Sequence, residues 1–173
     1  MIDRRPKPTR GLFWMLAGGF ALALAFWAEH VAGMAPCELC LWERWPYRVL
    51  VGLGLLWALC AGLRPSFGNA AGRLFGTLVS LTLLVSIGIG LLHVGVEQGW
   101  WPSPLPECAA PHFVAGSFSE RLASMPVRPA KPCDAPNRLF AWLPVSMTTL
   151  DVVYAASLLA IGLAGMPARR RRY

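Results

Sequence analysis

Uncharged apolar stretches divide this chain. Residues 11–28 carry no charge, nor do 49–63 or 74–96, and 139–168 carries only Asp151. A helix that crosses a bilayer needs about 20 mostly apolar residues, with a range of roughly 17–25. The pattern therefore predicts four spans, near 11–30, 44–63, 73–95 and 144–166. In lipid each backbone N–H and C=O must be satisfied within its own segment, so the spans are expected to be helices. The alternating pattern of barrel strands is absent. Small residues recur inside the stretches, among them Gly18, Gly54, Gly90 and Gly162. They let helix backbones approach closely. Glycine is also common in membrane helices generally, so no particular contact follows from it. The expected fold is all-α, an integral membrane four-helix bundle forming one domain over residues 1–173.

Two loops lie on one side of this bundle, a short one at about 31–43 and a long one at about 96–143. The long loop holds more than half of the fifteen prolines, so little of it can be regular structure. One exception is "SFSERLAS" at 117–124, which reads equally as a short amphipathic helix on the membrane surface or as an ordinary turn. The link near 64–72, "RPSFGNAAG", reads as a turn.

Composition agrees with this picture. The 173 residues are 55% hydrophobic and 14% charged, where a soluble domain carries roughly a quarter charged. Arg4, Arg5, Lys7, Arg10, Arg64, Arg73 and Arg169 to Arg172 all fall on one side of a four-span chain. The other side has Arg44 and Arg48 in its first loop region, and in its second loop Arg121, Arg128, Lys131 and Arg138 are offset by Glu97, Glu107, Glu120 and Asp134. The positive-inside rule then puts both termini in the cytoplasm. The net charge of +7 is thus an orientation signal. A nucleic-acid partner would need a basic face on a soluble fold, and none is visible. A cleaved leader ending near Val31-Ala32-Gly33 fits less well, because the apolar run is too long and Glu29 and His30 interrupt it.

The candidate chemistry is in the cysteines. Cys37, Cys40, Cys108 and Cys133 all fall on the outer side, while Cys60 lies deep in the second span as an inert packing residue. Four cysteines on one face suit disulfide chemistry in an oxidising compartment. Two structural bridges, or a zinc site with four cysteine ligands, would use the same residues. Pro46 suits the first turn of a helix, which places the start of the second span just after Cys40. Helix N-termini and nearby arginines both favour the thiolate. Cys40, Arg44 and Arg48 follow i, i+4, i+8 spacing and form one stripe if the helix starts early enough. Arg48 reads equally as a side chain reaching the headgroups.

The runs "PCELCLWERWPY" at 36–47, "HVGVEQGWWPSPLPEC" at 93–108, "PCD" at 132–134 and "SM" at 146–147 complete a pattern. Over nearly its whole length the chain resembles the DsbB family. These bacterial inner-membrane proteins reoxidise the periplasmic thioredoxin-fold oxidase DsbA and pass the electrons to quinone. The resemblance implies a protein-disulfide oxidoreductase with periplasmic redox loops, a DsbA-like partner, and ubiquinone or menaquinone as acceptor. Cys37 and Cys40 would be the dithiol beside the quinone, with Cys40 the thiolate that meets the ring. Cys108 and Cys133 would form the loop disulfide, Cys108 taking the partner and Cys133 exchanging with Cys37. Arg44 would stabilise bound quinone. His93 reads more readily as a packed helix-end residue than as part of the site. Trp100 and Trp101 read as interface anchors. Asp151, an acid within a span, reads either as a functional candidate or as an acid reaching water or an arginine. His30 and His112 have no assigned role. A vitamin K epoxide reductase-type enzyme shares the four-helix dithiol logic with a different motif order.

Overall fold

The computed structural model describes residues 8–63, 69–105, 108, 117–123, 131–138 and 145–165. Four long helices form the body: α1 (Pro8–His30), α2 (Glu38–Leu63), α3 (Asn69–Glu97) and α5 (Met147–Ala164), with a short α4 (Phe118–Ala123) between the last two. All four long helices are apolar enough to cross a membrane. At 1.5 Å per residue they are about 27 to 44 Å long, against a hydrocarbon core of about 30 Å. The described residues hold no strand, only one antiparallel bridge between Arg138 and Ser146. Arg64, Glu107, His112, Arg128 and the basic residues of both termini except Arg10 lie outside the described residues.

The helices face outward with Leu12, Leu16, Phe20, Leu55, Leu81 and Val85, all exposed. In a bilayer these are the lipid-facing side chains. The interior holds Trp14, Tyr47, Leu50, Trp57, Val79, Leu83 and Leu158 in one packed cluster. α1 packs on α2, α2 on α3, and α3 on α5. Glycines make the first of these contacts close. A Cβ on Gly11 would strike the backbone of Ala58 and Gly54, and one on Gly54 would strike the backbone of Met15. By contrast, Gly52 has nothing within 4 Å of such a Cβ. Glycine is thus required at particular places in the α1–α2 seam.

The ends of α2 and α5 position the site. α2 begins at Glu38, earlier than the proline suggested. Pro46 lies inside the helix and is buried, not in its first turn. It removes the ladder hydrogen bond to the Trp42 carbonyl, and its ring crowds that carbonyl. The true cap is Cys37, whose carbonyl accepts the Leu41 N–H at 3.2 Å. At α5, Ser146 is the N-cap and accepts the Thr149 N–H. The long loop is tied down just before it. Asn137 accepts the Met147 N–H through its backbone carbonyl at 2.8 Å. Its side-chain amide donates to Ala35 in the first loop at 3.2 Å, and Lys131 donates to its Oδ1. α4 forms the short helix of the two alternatives, started by Ser117, whose N–H and hydroxyl both donate to Glu120.

Candidate redox site

Cys37 is both the cap of α2 and the centre of a sulfur cluster. Its Sγ lies 2.8 Å from Cys40 Sγ. It also accepts the Cys40 backbone N–H at 3.3 Å, so the helix N-terminus points at it. His93 Nε2 approaches from α3 at 3.4 Å. The Cys40 thiol and His93 together outweigh burial and pull the Cys37 thiol down from 9.0 to about 4. The negative charge therefore sits on Cys37, with Cys40 donating to it. A cap sulfur faces the free N–H groups of the first turn, whereas Cys40 is already inside that turn.

Behind His93 stands a buried polar network. Its Nδ1 lies 2.9 Å from Glu43 Oε1 and 3.3 Å from Thr148 Oγ1. Thr148 in turn donates to Glu97 at 2.9 Å. His93 is 1% exposed. Its role as mere helix-end packing is thus replaced by direct contact with the dithiol. α3 brings it there because Val79, Leu83, Ser86 and His93 follow helical spacing along its buried face. Cys37, Cys40 and His93 offer ligand atoms within 4.8 Å of one another, close enough to share a cation. The hydrogen bonds to Cys37 already account for that closeness.

Cys108 and Cys133 are joined in a disulfide. Both are buried, and they pack in one cluster with Cys37, Leu39 and Val96, with Cys40 and Leu92 at its edge. Cys37, Cys40, Cys108 and Cys133 thus meet at one end of the bundle, as one bridge and one dithiol. A site that needs four free thiolates is not present in this arrangement. Cys60 lies apart, in the body of α2.

Beside the dithiol, a cavity of about 300 Å³ opens between α1, α2 and α5. Its walls are mostly apolar, and Cys40, Arg44, Tyr47 and Asp151 line it. Arg44 is buried and paired with Glu29 of α1 at 2.7 Å, over the ring of Phe26. Arg48 is not in the cavity; it is exposed and stacks over Trp45. Helix geometry explains the split. At about 100° per residue, i+4 lies roughly 40° round from Cys40, and i+8 roughly 80°. The i+7 position returns to roughly 20°, which is why Tyr47 shares the cavity. Asp151 meets a phenol in place of the expected water or arginine; it accepts the Tyr47 hydroxyl at 2.7 Å. Trp101 packs against Gly95 and donates to the Leu92 carbonyl, and both it and Trp100 are exposed.

Sequence reasoning missed Glu29, Glu43, Tyr47 and Thr148 as parts of this site. Glu43 falls at the end of the loop expected at 31–43, so it does not read as an ionisable residue within a span; the earlier start of α2 puts it there.

A four-helix membrane bundle with a dithiol and a disulfide packed together at one end defines a class, the membrane proteins that work through paired cysteines. Within it the assignment is specific. Residues 8–165 match the family model for disulfide bond formation protein DsbB, and the chain belongs to that family. A disulfide bond formation protein B from Azoarcus sp. (strain BH72) is 33% identical over 165 residues, covering 91% of this chain and 93% of that one. The corresponding protein of Marinobacter nauticus is 38% identical over 101 residues, 58% of this chain and 53% of the relative. The match to the Acinetobacter baylyi protein is 33% over 94 residues and spans about half of each, 54% and 52%. No solved structure matches.

Proposed function

We propose that this protein is a quinone-reducing protein-disulfide oxidoreductase of the bacterial inner membrane. In this reading both termini are cytoplasmic and both redox loops periplasmic. It reoxidises a DsbA-like thioredoxin-fold partner. The observation that carries the reading is the packing of the Cys108–Cys133 disulfide against the Cys37–Cys40 dithiol, which itself borders an apolar cavity containing a fixed cation.

Thiol–disulfide exchange runs by thiolate attack through a mixed disulfide. A partner thiolate attacks Cys108, the bridge opens, and Cys133 leaves as thiolate. With the Cys37–Cys40 pair oxidised, Cys133 attacks Cys37 and releases Cys40. The partner's second thiolate closes its own disulfide and frees Cys108. The Cys133–Cys37 bond resolves when Cys108 attacks Cys133, which leaves Cys37 and Cys40 reduced. Two electrons have then moved from the partner to the inner pair.

The lining of the cavity fits a quinone. Apolar walls suit a ring and isoprenoid chain, Cys40 borders them, and Arg44 supplies positive charge in a site sheltered from water. Fixed charge in such a site acts without reorganisation. Bound quinone supplies a two-electron, two-proton acceptor. Arg44 would hold it, and Glu29 would hold Arg44 in place. Whether ubiquinone or menaquinone is used is open to the same experiment. Purified protein is titrated with a reduced thioredoxin-fold oxidase while quinone absorbance is followed. Wild type is expected to reduce quinone, and Cys37→Ser or Cys40→Ser to abolish the reaction. Normal turnover in either variant would refute the assignment.

A further inference from the structure

Three carboxyl groups line the cavity: Glu29, Glu43 and Asp151. Two of them face a base. Glu29 faces Arg44 at 2.7 Å, and Glu43 faces His93 at 2.9 Å. Among the described residues, Asp151 hydrogen-bonds only to the phenol of Tyr47, which donates to its Oδ1. Its Oδ2 is shielded from solvent and has no hydrogen-bond partner among the described residues. A carboxylate without a balancing cation is costly at this depth in a membrane. The pair is also well placed. Tyr47 lies seven residues beyond Cys40 on the same side of α2, about 10 Å deeper by helical rise. Cys40 and the Tyr47–Asp151 pair therefore bound the cavity at two levels.

We propose that Tyr47 and Asp151 form a proton-delivering pair for the acceptor bound in the cavity, acting at the ring oxygen remote from Cys40. The inference rests on the quinone reading above. Because Oδ2 is shielded, the route from Asp151 into the cavity runs through the Tyr47 hydroxyl. With Asp151 protonated at Oδ1 and the quinone bound, the 2.7 Å hydrogen bond reverses: the Tyr47 proton passes to the ring oxygen as the Oδ1 proton passes to the Tyr47 oxygen. The two electrons come from Cys37 and Cys40, between which an S–S bond forms. The Cys37 thiolate carries no proton, so the Cys40 proton goes to the other ring oxygen and a proton taken up from water restores Asp151. The sum is singly ionised dithiol plus quinone plus one proton giving disulfide plus hydroquinone.

The test uses the full chain in detergent, with a short-chain ubiquinone as acceptor and dithiothreitol as donor. Quinone affinity is read from tryptophan fluorescence, turnover from quinone absorbance, and the carboxyl group from infrared difference spectra taken on quinone binding. Positioned acids contribute about 10²–10⁴-fold to such steps, so Asp151→Asn and Tyr47→Phe should each lower kcat at least about tenfold while Kd stays within about threefold. Wild type should show a perturbed carboxylic-acid C=O band that Asp151→Asn lacks. Wild-type kcat in either variant would overturn the inference, as would persistence of that band in Asp151→Asn, and both would leave the quinone reading standing. Should Asp151→Asn fail to fold, Tyr47→Phe, which keeps the ring, decides alone. If wild type binds no quinone, both readings fall together.

Discussion

Replacing His93 with alanine isolates what holds the charge on Cys37. The His93 ring nitrogen is 3.4 Å from the sulfur, and it is the second group after Cys40 that pulls the thiol down to about 4. A hydrogen bond to a charged group contributes about 1.5–3 kcal/mol, or roughly one to two pH units at 1.36 kcal/mol each. The thiolate midpoint should therefore rise to roughly 5–6 in His93→Ala, short of the ordinary value because the Cys40 thiol and backbone N–H remain. The sign for stability follows. A depressed thiol favours the folded state above its unfolded value of 9.0, and this contribution is lost as pH falls through about 4. In His93→Ala the loss should be complete at a higher pH. The same stabilisation favours the reduced pair. Since 1.4 kcal/mol is about 30 mV for two electrons, the Cys37–Cys40 potential should fall by roughly 30–65 mV in the variant. The assay uses Cys108→Ser/Cys133→Ser protein to isolate the inner pair. Thiolate absorbance is followed against pH, and the pair is equilibrated with glutathione buffers before alkylation. An unmoved midpoint together with an unmoved potential would show that His93 packs beside Cys37 without stabilising its charge.

Two further predictions follow from neighbouring contacts. Arg44→Ala should raise the KM for quinone at least about tenfold, the loss of one charge-assisted contact, with little change in the KM for the protein donor. Arg48→Ala, outside the cavity, should change neither, and steady-state kinetics with both substrates varied separates the cases. Gly54→Leu should force α1 from α2 at a cost of about 1–3 kcal/mol and lower the Tm in detergent. Gly52→Leu, which meets open space, should stay within about 0.5 kcal/mol of wild type.

Much of the architecture was legible because the bilayer imposes a simple rule. Uncharged runs of sufficient length become helices, and the four helices follow from that alone. The cysteine positions were legible too, since only their placement along the chain was needed to put them on one side. What could not be read was the rotation of each helix. Cys40, Arg44 and Arg48 look equivalent at four-residue spacing, yet the drift of about 40° per step carries Arg48 out of the cavity and brings in Tyr47. The start of α2 was obscured for a related reason. Pro46 looks like a first-turn residue, but it lies well inside the helix, where it removes the bond to the Trp42 carbonyl and crowds that carbonyl, and Cys37 takes the cap. His93, Glu43 and Thr148 come from three different helices and meet only after the bundle packs. No local spacing announces such a cluster. Asp151 illustrates the same limit, since its phenol partner is 104 residues away in sequence.

The tie made by Asn137 has a kinetic consequence. It anchors the long loop to the carbonyl of Ala35, two residues from Cys37, and to the start of α5. Cys133 is four residues from that anchor, a leash of at most about 14 Å. Short tethers give local concentrations in the millimolar range. On the proposed route, the inward transfer is therefore a unimolecular event whose speed does not depend on how much protein the membrane holds. Only the meeting with the soluble donor responds to abundance.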